Sequence, residues 1–579
     1  MIHPWNFPAS SRWLLCCVWF YCTATPLLGW GPENLFLVIN PRQVDSVTVA
    51  NHYAALRNIP PSNLFYLPWD NTNGIDVETF RTAFLKPIFA AIDRRGLSEQ
   101  IDGIVYSSGY PVSIDFTADL PLEVRGKMPV PPQGSLTGMT YLANAVNSKH
   151  APGYLSLTAN RYMRQIANGV QAQPTQSFRG WYGWSEQGAL LESGGDRYLL
   201  SMMLAVNSDP GNTLQESLLD LRLSSKADGS KPKGTIYFSE TGDVRTKTRA
   251  SQFALAIKEL QAMGIAAETI SENFPRGRQD IAGAVLGFAD RNHVTEDVRI
   301  VPGALIENLT SYGGRFDKGH GQPLLTQFLR LGASGSTGTI AEPLAIPNKF
   351  PHAMAQVHYA RGCTLAESLY QAVHGPYQLL MVGDPLCAPW ANIPAIEVPE
   401  INPEQLIVRD KIGFAPVATV AKAKVDSFEL FVDGARVSRC VPGESLAIDT
   451  KHFADGWHEI RVVGTIRGAI ETTGRYIQFL RFANTDRELT FSITPNETKA
   501  NLPLRIQAEC AGASGMVLYC NGRIITQQAG GKLILTMAPD NMLNGTGLAT
   551  GPTSWRVIAL GNAGGASHTI SQPISVQID

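Results

Sequence analysis

Ser311 is the residue of this chain whose type and setting best suit chemistry. It stands in Leu309-Thr310-Ser311-Tyr312-Gly313-Gly314, a polar turn after the apolar run Val301–Asn308. A serine hydroxyl attacks a carbonyl when a base takes its proton and a third group orients that base. His293 and His320 are the candidate bases, and Asp290 and Asp317 the candidate orienting carboxylates. Ser311, His293 and Asp290 together would make a hydrolase. The surrounding residues are not the G-x-S-x-G elbow that exposes a nucleophile above a sheet. A serine in such a turn also serves as a local cap or hydrogen-bonding group.

The candidate binding residues are Glu342, Tyr312, Trp181 and Trp184. Glu342 follows a buried run, at the edge where open α/β sheets take ligands. With Ser311 and Asp290 it would line a polar pocket; otherwise it is a loop carboxylate. The aromatic run Phe178, Trp181, Tyr182, Trp184 would stack on sugar rings, or pack its segment onto the sheet. Asp384, in Gly383-Asp384-Pro385, reads as a turn or cap residue. Gly332, Gly335 and Gly338 lie in GASGSTG, which lacks the GK[ST] end of a phosphate loop and leads into a strand. There is no CxxC pair and no HExxH, and His352, His358 and His374 are unevenly spaced. They read as surface or helix-end residues, and no metal or cofactor is expected. Asn308-Leu309-Thr310 is formally a glycosylation sequon.

These residues must be positioned by an α/β framework. Between about 33 and 395, strand and helix patterns alternate: strands at Leu35–Asn40, Asn63–Leu67, Ile101–Ile114, Gly234–Ser239, Ala266–Ile270, Ala282–Asp290 and Gly332–Ile340, and helices at Ser46–Arg57, Val77–Arg95 and Thr248–Met263. Such alternation gives a mostly parallel sheet covered on both faces. The stretch 115–233 breaks the rhythm with Pro, Gly, Ser and aromatics, and has helical patches such as RYLLSMMLAV. It reads as a long insertion that builds a binding surface. After the Pro-rich linker Asn392–Leu406 come FELFVDGARVSR and MVLYCNGRII, each a strand, an Asx-Gly turn and a strand. Two immunoglobulin-like sandwiches fit this space, at 396–485 and 486–579.

Composition narrows the function classes. The chain has 579 residues, too many for one core. Its net charge is −2 with 17% charged residues, so no basic field attracts nucleic acid or an anionic membrane. Arg12 precedes the apolar run Trp13–Gly31, broken by Thr23, Thr25 and Pro26. Residues 1–30 therefore read as an export signal, with no membrane span once it is removed. Of eight cysteines, three lie in that signal; among the other five, Cys510 and Cys520 fall on neighbouring expected strands and either pair or stay as buried thiols.

Four stretches, in this order and spacing, resemble the gingipain-type branch of caspase-like cysteine peptidases. More closely still, they resemble an uncharacterised family of exported bacterial proteins built on that fold. They are VINPRQVDSVTVANHYAALRNIPPSNLFYL, LTSYGG, LLTQFLRLGASGSTGTIAEP and GCTLAESLYQAVHGPYQLLMVGDPL. The resemblance implies a caspase-like three-layer α/β domain over 31–395. It also implies a His after one strand and a Cys after the next. The corresponding places here are Gly287-Phe288-Ala289-Asp290 and Ser311. Phenylalanine cannot transfer a proton, and no cysteine lies near Ser311. The expectation is a secreted or envelope protein whose peptidase-like domain binds a polypeptide or glycan without catalysis. A Ser311 hydrolase and a structural surface component are the alternatives.

Overall fold

The computed structural model describes residues 29–579, apart from 73, 168–169, 172, 318–320, 421–422, 469, 486, 544–545 and 562–567. The expected export signal, up to residue 28, and His320 lie outside the described residues. Trp30, expected to leave with the signal, is instead 4% exposed and packed in the main core. A Cβ added to Gly103 would come within 2.9 Å of its ring.

Leu35–Ile39 (β1) is apolar at every position and buried at every position, as a parallel strand covered on both faces must be. It joins Leu64–Tyr66 (β2), Gly103–Tyr106 (β3), Leu200–Met203 (β4), Thr235–Ser239 (β5), Ala266–Ile270 (β6), Ile281–Leu286 (β7), Ile300–Asn308 (β8), Gly335–Thr339 (β9) and Leu379–Gly383 (β10). The ten strands form one sheet in the order β6-β5-β7-β8-β9-β10-β4-β3-β1-β2. Every neighbouring pair is parallel except β9 and β10, which are antiparallel. Two parallel halves therefore abut with opposite directions. The strand ends of β7, β8 and β9 open on one edge, and those of β1, β3, β4 and β10 on the other. Along β5, Ile236 and Phe238 enter one core while Tyr237 enters another. Successive strand side chains point to opposite faces, so both faces are covered.

Two expectations need correcting. RYLLSMMLAV, taken as a helical patch of the insertion, contains β4, a central strand between β10 and β3. The helix expected over Thr248–Met263 is two helices, Val244–Ala250 and Phe253–Ala262.

The rest of the chain is β. Ser427–Val432 (β11), Ala435–Cys440 (β12), Asp455–Ile466 (β13), Thr472–Phe482 (β14), Gly515–Cys520 (β15), Arg523–Ala529 (β16) and Gly551–Leu560 (β17) belong to one continuous eleven-stranded sheet. It packs against two further groups of strands and makes two cores. Phe428, Leu430, Ile460 and Val462 meet Phe414, Leu446 and Ile448 in the first. Met516, Leu518, Trp555 and Val557 meet Leu504, Ile506 and Leu533 in the second. This is the packing of β-sandwiches, inner faces closing over an apolar layer. The Asp433-Gly434 turn has φ of 49° and 84°, and Asn521-Gly522 has 46° and 73°. Two positive φ values define the tight hairpin turn that Asx-Gly favours.

Both turns reach the α/β part. Gln100 Nε2 donates to Gly434 O at 2.7 Å. Asn521 Nδ2 donates to Asn51 Oδ1 at 2.7 Å, and Tyr66 OH to Asn521 O at 3.0 Å. Beside them the buried Glu33 accepts from Arg461 at 2.6 Å and from Arg475 at 3.1 Å. The five described cysteines are free and buried, Cys510 and Cys520 included. Among the described residues no helix is long and apolar enough to cross a membrane.

Candidate functional site

The ends of β7, β8 and β9 carry the residues singled out for chemistry. Below them, Arg249 of the helix Val244–Ala250 pairs with Glu307 of β8, both buried. Arg249 also donates to the carbonyls of Leu286 and Pro351. Thr337 Oγ1 of β9 donates to Glu307 Oε1 at 3.1 Å. One ion pair thus ties three strands at the level where they end. Above it, Asn308 grips the next turn: its Oδ1 accepts from Phe288 N at 3.1 Å and its Nδ2 donates to Phe288 O at 3.2 Å. Asn308 is therefore buried and committed, and the sequon it begins is closed to a glycan.

Phe288 is 1% exposed and fills the position after β7. His293 sits edge-on to its ring, with centroids 5.7 Å apart, and its Nδ1 lies 3.4 Å from Arg276 Nη2. Asp290 accepts from Asn292 N at 3.0 Å and so caps the short turn Arg291–His293. Among the described residues no hydrogen bond joins Ser311 Oγ, His293 and Asp290, so the triad considered from sequence does not form. Its members are spent on local turns and on packing against Phe288.

Ser311 itself is half-buried, and its backbone is fixed from both sides. Gln322 Oε1 accepts from Thr310 Oγ1 at 2.5 Å, Ser311 N at 3.0 Å and Tyr312 N at 3.2 Å. Three donors converge on one oxygen, the arrangement that stabilises an oxyanion in acyl transfer, but here the chain's own carboxamide fills it. Thr339 Oγ1 lies 2.9 Å from the carbonyls of both Thr310 and Ser311. The turn then lies on β9 so closely that a Cβ on Gly338 would stand 2.2 Å from the Gly313 carbonyl carbon. That contact, and no phosphate, accounts for a glycine at 338.

The expected binding residues are dispersed. Glu342 is half-buried, and its Oε1 accepts from Leu344 N at 2.8 Å, the loop role weighed against a pocket role. Tyr312 stacks under the Arg315 guanidinium at 5.5 Å. Trp181 takes Arg197 over its ring at 5.5 Å. Trp184 is 1% exposed, packed among Tyr162, Phe178 and the Arg164 guanidinium. Its ring faces are taken by protein, so it offers no platform for a sugar. Asp384 does close a turn, accepting from Leu386 N at 3.1 Å, but it also accepts from Tyr53 OH at 2.9 Å and pairs with Arg57, all buried. Of the two places expected, surface or helix end, His358 takes the helix end, in the last turn of Met354–Ala360; it and His352 are buried, and burial pushes the His352 imidazole down to about 3. His374 is half-buried. Among the described residues no group of three or more His, Cys, Asp or Glu could hold a metal ion.

Sequence reasoning missed Gln322, the residue that organises the Ser311 turn. It also missed a cleft of about 850 Å³ whose walls come from 142–161 and 184–198.

No described protein family matches the chain. No curated protein matches it. Over 32% of its length it is similar to the fibronectin(III)-like modules of CbhA from Clostridium thermocellum, at 12% identity, 93% coverage of that chain and a TM-score of 0.14. Over 32% it is similar to SGBP-B of a mixed-linkage glucan utilisation locus from Bacteroides ovatus, solved with a mixed-linkage heptasaccharide, at 13% identity, 47% coverage and a TM-score of 0.20. Over 32% it is similar to dimeric latent PorU from Porphyromonas gingivalis, at 11% identity, 20% coverage and a TM-score of 0.14. Likenesses this slight carry no argument about function, which rests on the geometry.

Proposed function

We propose that this is an exported or envelope-associated protein whose peptidase-like α/β domain binds a polypeptide or glycan and performs no catalysis. The domain spans 31–395 in this reading, with Ig-like sandwiches at 396–485 and 486–579. The apolar run behind Arg12 supports export, with cleavage falling before the buried Trp30.

The observation that carries the reading is Phe288. The caspase-like resemblance calls for a His after one strand and a Cys after the next. β7 and β8 are neighbouring parallel strands, and they are followed by a buried Phe288 and by Ser311. A phenyl ring takes no proton, and an unassisted serine hydroxyl is a weak nucleophile. The Gln322 carboxamide held by Ser311 N and Tyr312 N supports the same reading, because it occupies the donors a reacting oxyanion would need.

The test is a screen of peptide, ester and glycoside substrates with the parent protein beside Ser311→Ala. The expected result is no turnover above background in either. Turnover in the parent that disappears in Ser311→Ala would overturn the proposal.

A further inference from the structure

We infer that the cleft between 142–161 and 184–198 is an oligosaccharide site that recognises sugar hydroxyls. The inference rests on the non-catalytic binding reading and gives it a place and a ligand class. The cleft, at about 850 Å³, lies within the range of small-ligand sites.

Its charge is balanced. Its lining holds Arg161 and Arg197 together with Glu186 and Asp196. A polyanion or polycation would find as much repulsion as attraction there, which disfavours nucleic acid and strongly charged chains. The lining also carries Asn144, Ser148, Thr158 and Ser185, amide and hydroxyl groups that donate and accept and that each make one hydrogen bond with further capacity left. A sugar hydroxyl is itself both donor and acceptor, so a run of hydroxyls matches a lining of Arg donors, carboxylate acceptors and two-way groups. Leu142, Pro152 and Leu191 add small apolar patches that suit the C–H faces of a pyranose ring.

Arg161 is the group most available to a ligand. It is 30% exposed, and its Nε lies 3.5 Å from Asp196 Oδ2. Its terminal nitrogens make no hydrogen bond among the described residues. Asp196 is 60% exposed. The pair therefore presents a planar donor fork beside an open carboxylate, able to grip vicinal hydroxyls.

The walls are already ordered, so little entropy is lost on binding. Tyr198 stacks on Tyr141 with centroids 4.7 Å apart and planes 1° apart. Tyr198 OH donates to Ala159 O at 2.7 Å and accepts from Arg161 N at 3.1 Å. Asn144 Nδ2 donates to Arg197 O at 3.0 Å and ties the two walls together. A peptide is less favoured. The strands framing the cleft, Gly183–Trp184 and Leu190–Leu191, are two residues long and pair with each other, and Trp184 pairs again with Asp196. Among the described residues no strand edge of useful length is left there for a peptide to extend.

The experiment titrates the full mature chain with cellotetraose, maltotetraose and xylotetraose, and separately with a pool of mixed-sequence hexapeptides, by saturation-transfer NMR and calorimetry. At least one neutral tetrasaccharide binds, and Arg161→Ala and Asp196→Ala each weaken it by about tenfold or more with the melting temperature unchanged. Glu342→Ala, at the strand ends, leaves the affinity as it was. No binding of any tetrasaccharide, binding that both cleft variants retain, or binding of the peptides alone overturns the inference. Reducing ends are counted in the same samples. Sugar cleavage that requires Ser311 would sink the non-catalytic reading and leave the assignment of the cleft standing.

Discussion

The strand ends at β7–β9 and the insertion cleft are both polar, yet they use their polar groups in opposite ways. At the strand ends Gln322 answers three donors, Asn308 holds the Phe288 backbone on both sides, and Arg249 answers Glu307 and two carbonyls. In the cleft the Arg161 guanidinium meets a mostly exposed Asp196 at 3.5 Å, and its terminal nitrogens make no hydrogen bond among the described residues. A residue's chemical type alone does not mark a site. The position with the most reactive-looking serine is closed by its own chain, while the groups left for a ligand lie in a segment whose sequence carries no motif. Buried polar groups must be satisfied within the fold; those exposed in an open cleft need not be, and can be offered to a ligand.

The contrast can be broken most forcefully at Glu307. Glu307→Ala removes the carboxylate from a buried Arg249 and leaves an uncompensated charge, which costs about 3–5 kcal/mol. Chemical denaturation of the variant would read this loss; a cost below about 1 kcal/mol would mean that water reaches the pair.

Next in size is the seam between the α/β part and the sandwiches. Burial alone would raise the Glu33 carboxyl, but Arg475 and Arg461 outweigh it and hold the group down at about 2, against an ordinary 4.5. A carboxylate depressed in the folded state stabilises above its unfolded value and loses that contribution as the pH falls through its folded value. The seam should therefore weaken between about pH 4.5 and about pH 2, by roughly 3 kcal/mol in all. Denaturation against pH should show this slope in the parent, and a flatter one in Glu33→Gln.

Gln322→Ala should cost about 1–2 kcal/mol, because the Ser311 and Tyr312 amides lose their acceptor at a half-buried place where water substitutes in part. It should also leave the protein without hydrolase activity. Asp196→Ala is the smallest, within about 0.5 kcal/mol, as expected of an exposed pair. A large loss there would mean that the cleft is held together by its charges instead of offering them.

Much of the framework was legible in sequence. LFLVI and TIYFS are apolar runs rich in β-branched or aromatic residues and bounded by turns, and each is a strand. The Asp-Gly and Asn-Gly turns were legible because only residues tolerant of positive φ fit them. LSMM was not, because it has no β-branched or aromatic residue and sits among helix formers. Its place between β10 and β3 is set by the sheet, not by local preference. The site was less legible still. Phe288 was readable as a lost base, but Gln322 acts from eleven residues beyond Ser311 through a side-chain oxygen that no pattern announces. Trp184 looked like a sugar platform, and only tertiary contact with Tyr162, Phe178 and Arg164 shows that its faces are covered. The cleft joins residues 39 to 53 apart, as Ala159 to Tyr198 and Asn144 to Arg197, and such pairings are absent from any local window.

The most direct test of the closed strand end is reaction with a fluorophosphonate, which modifies a serine only when a neighbouring base activates it. The parent protein, treated and mapped by peptide mass spectrometry, should carry no adduct at Ser311. An adduct at Ser311 that forms in the native protein and disappears on unfolding would show an activated nucleophile and contradict the account.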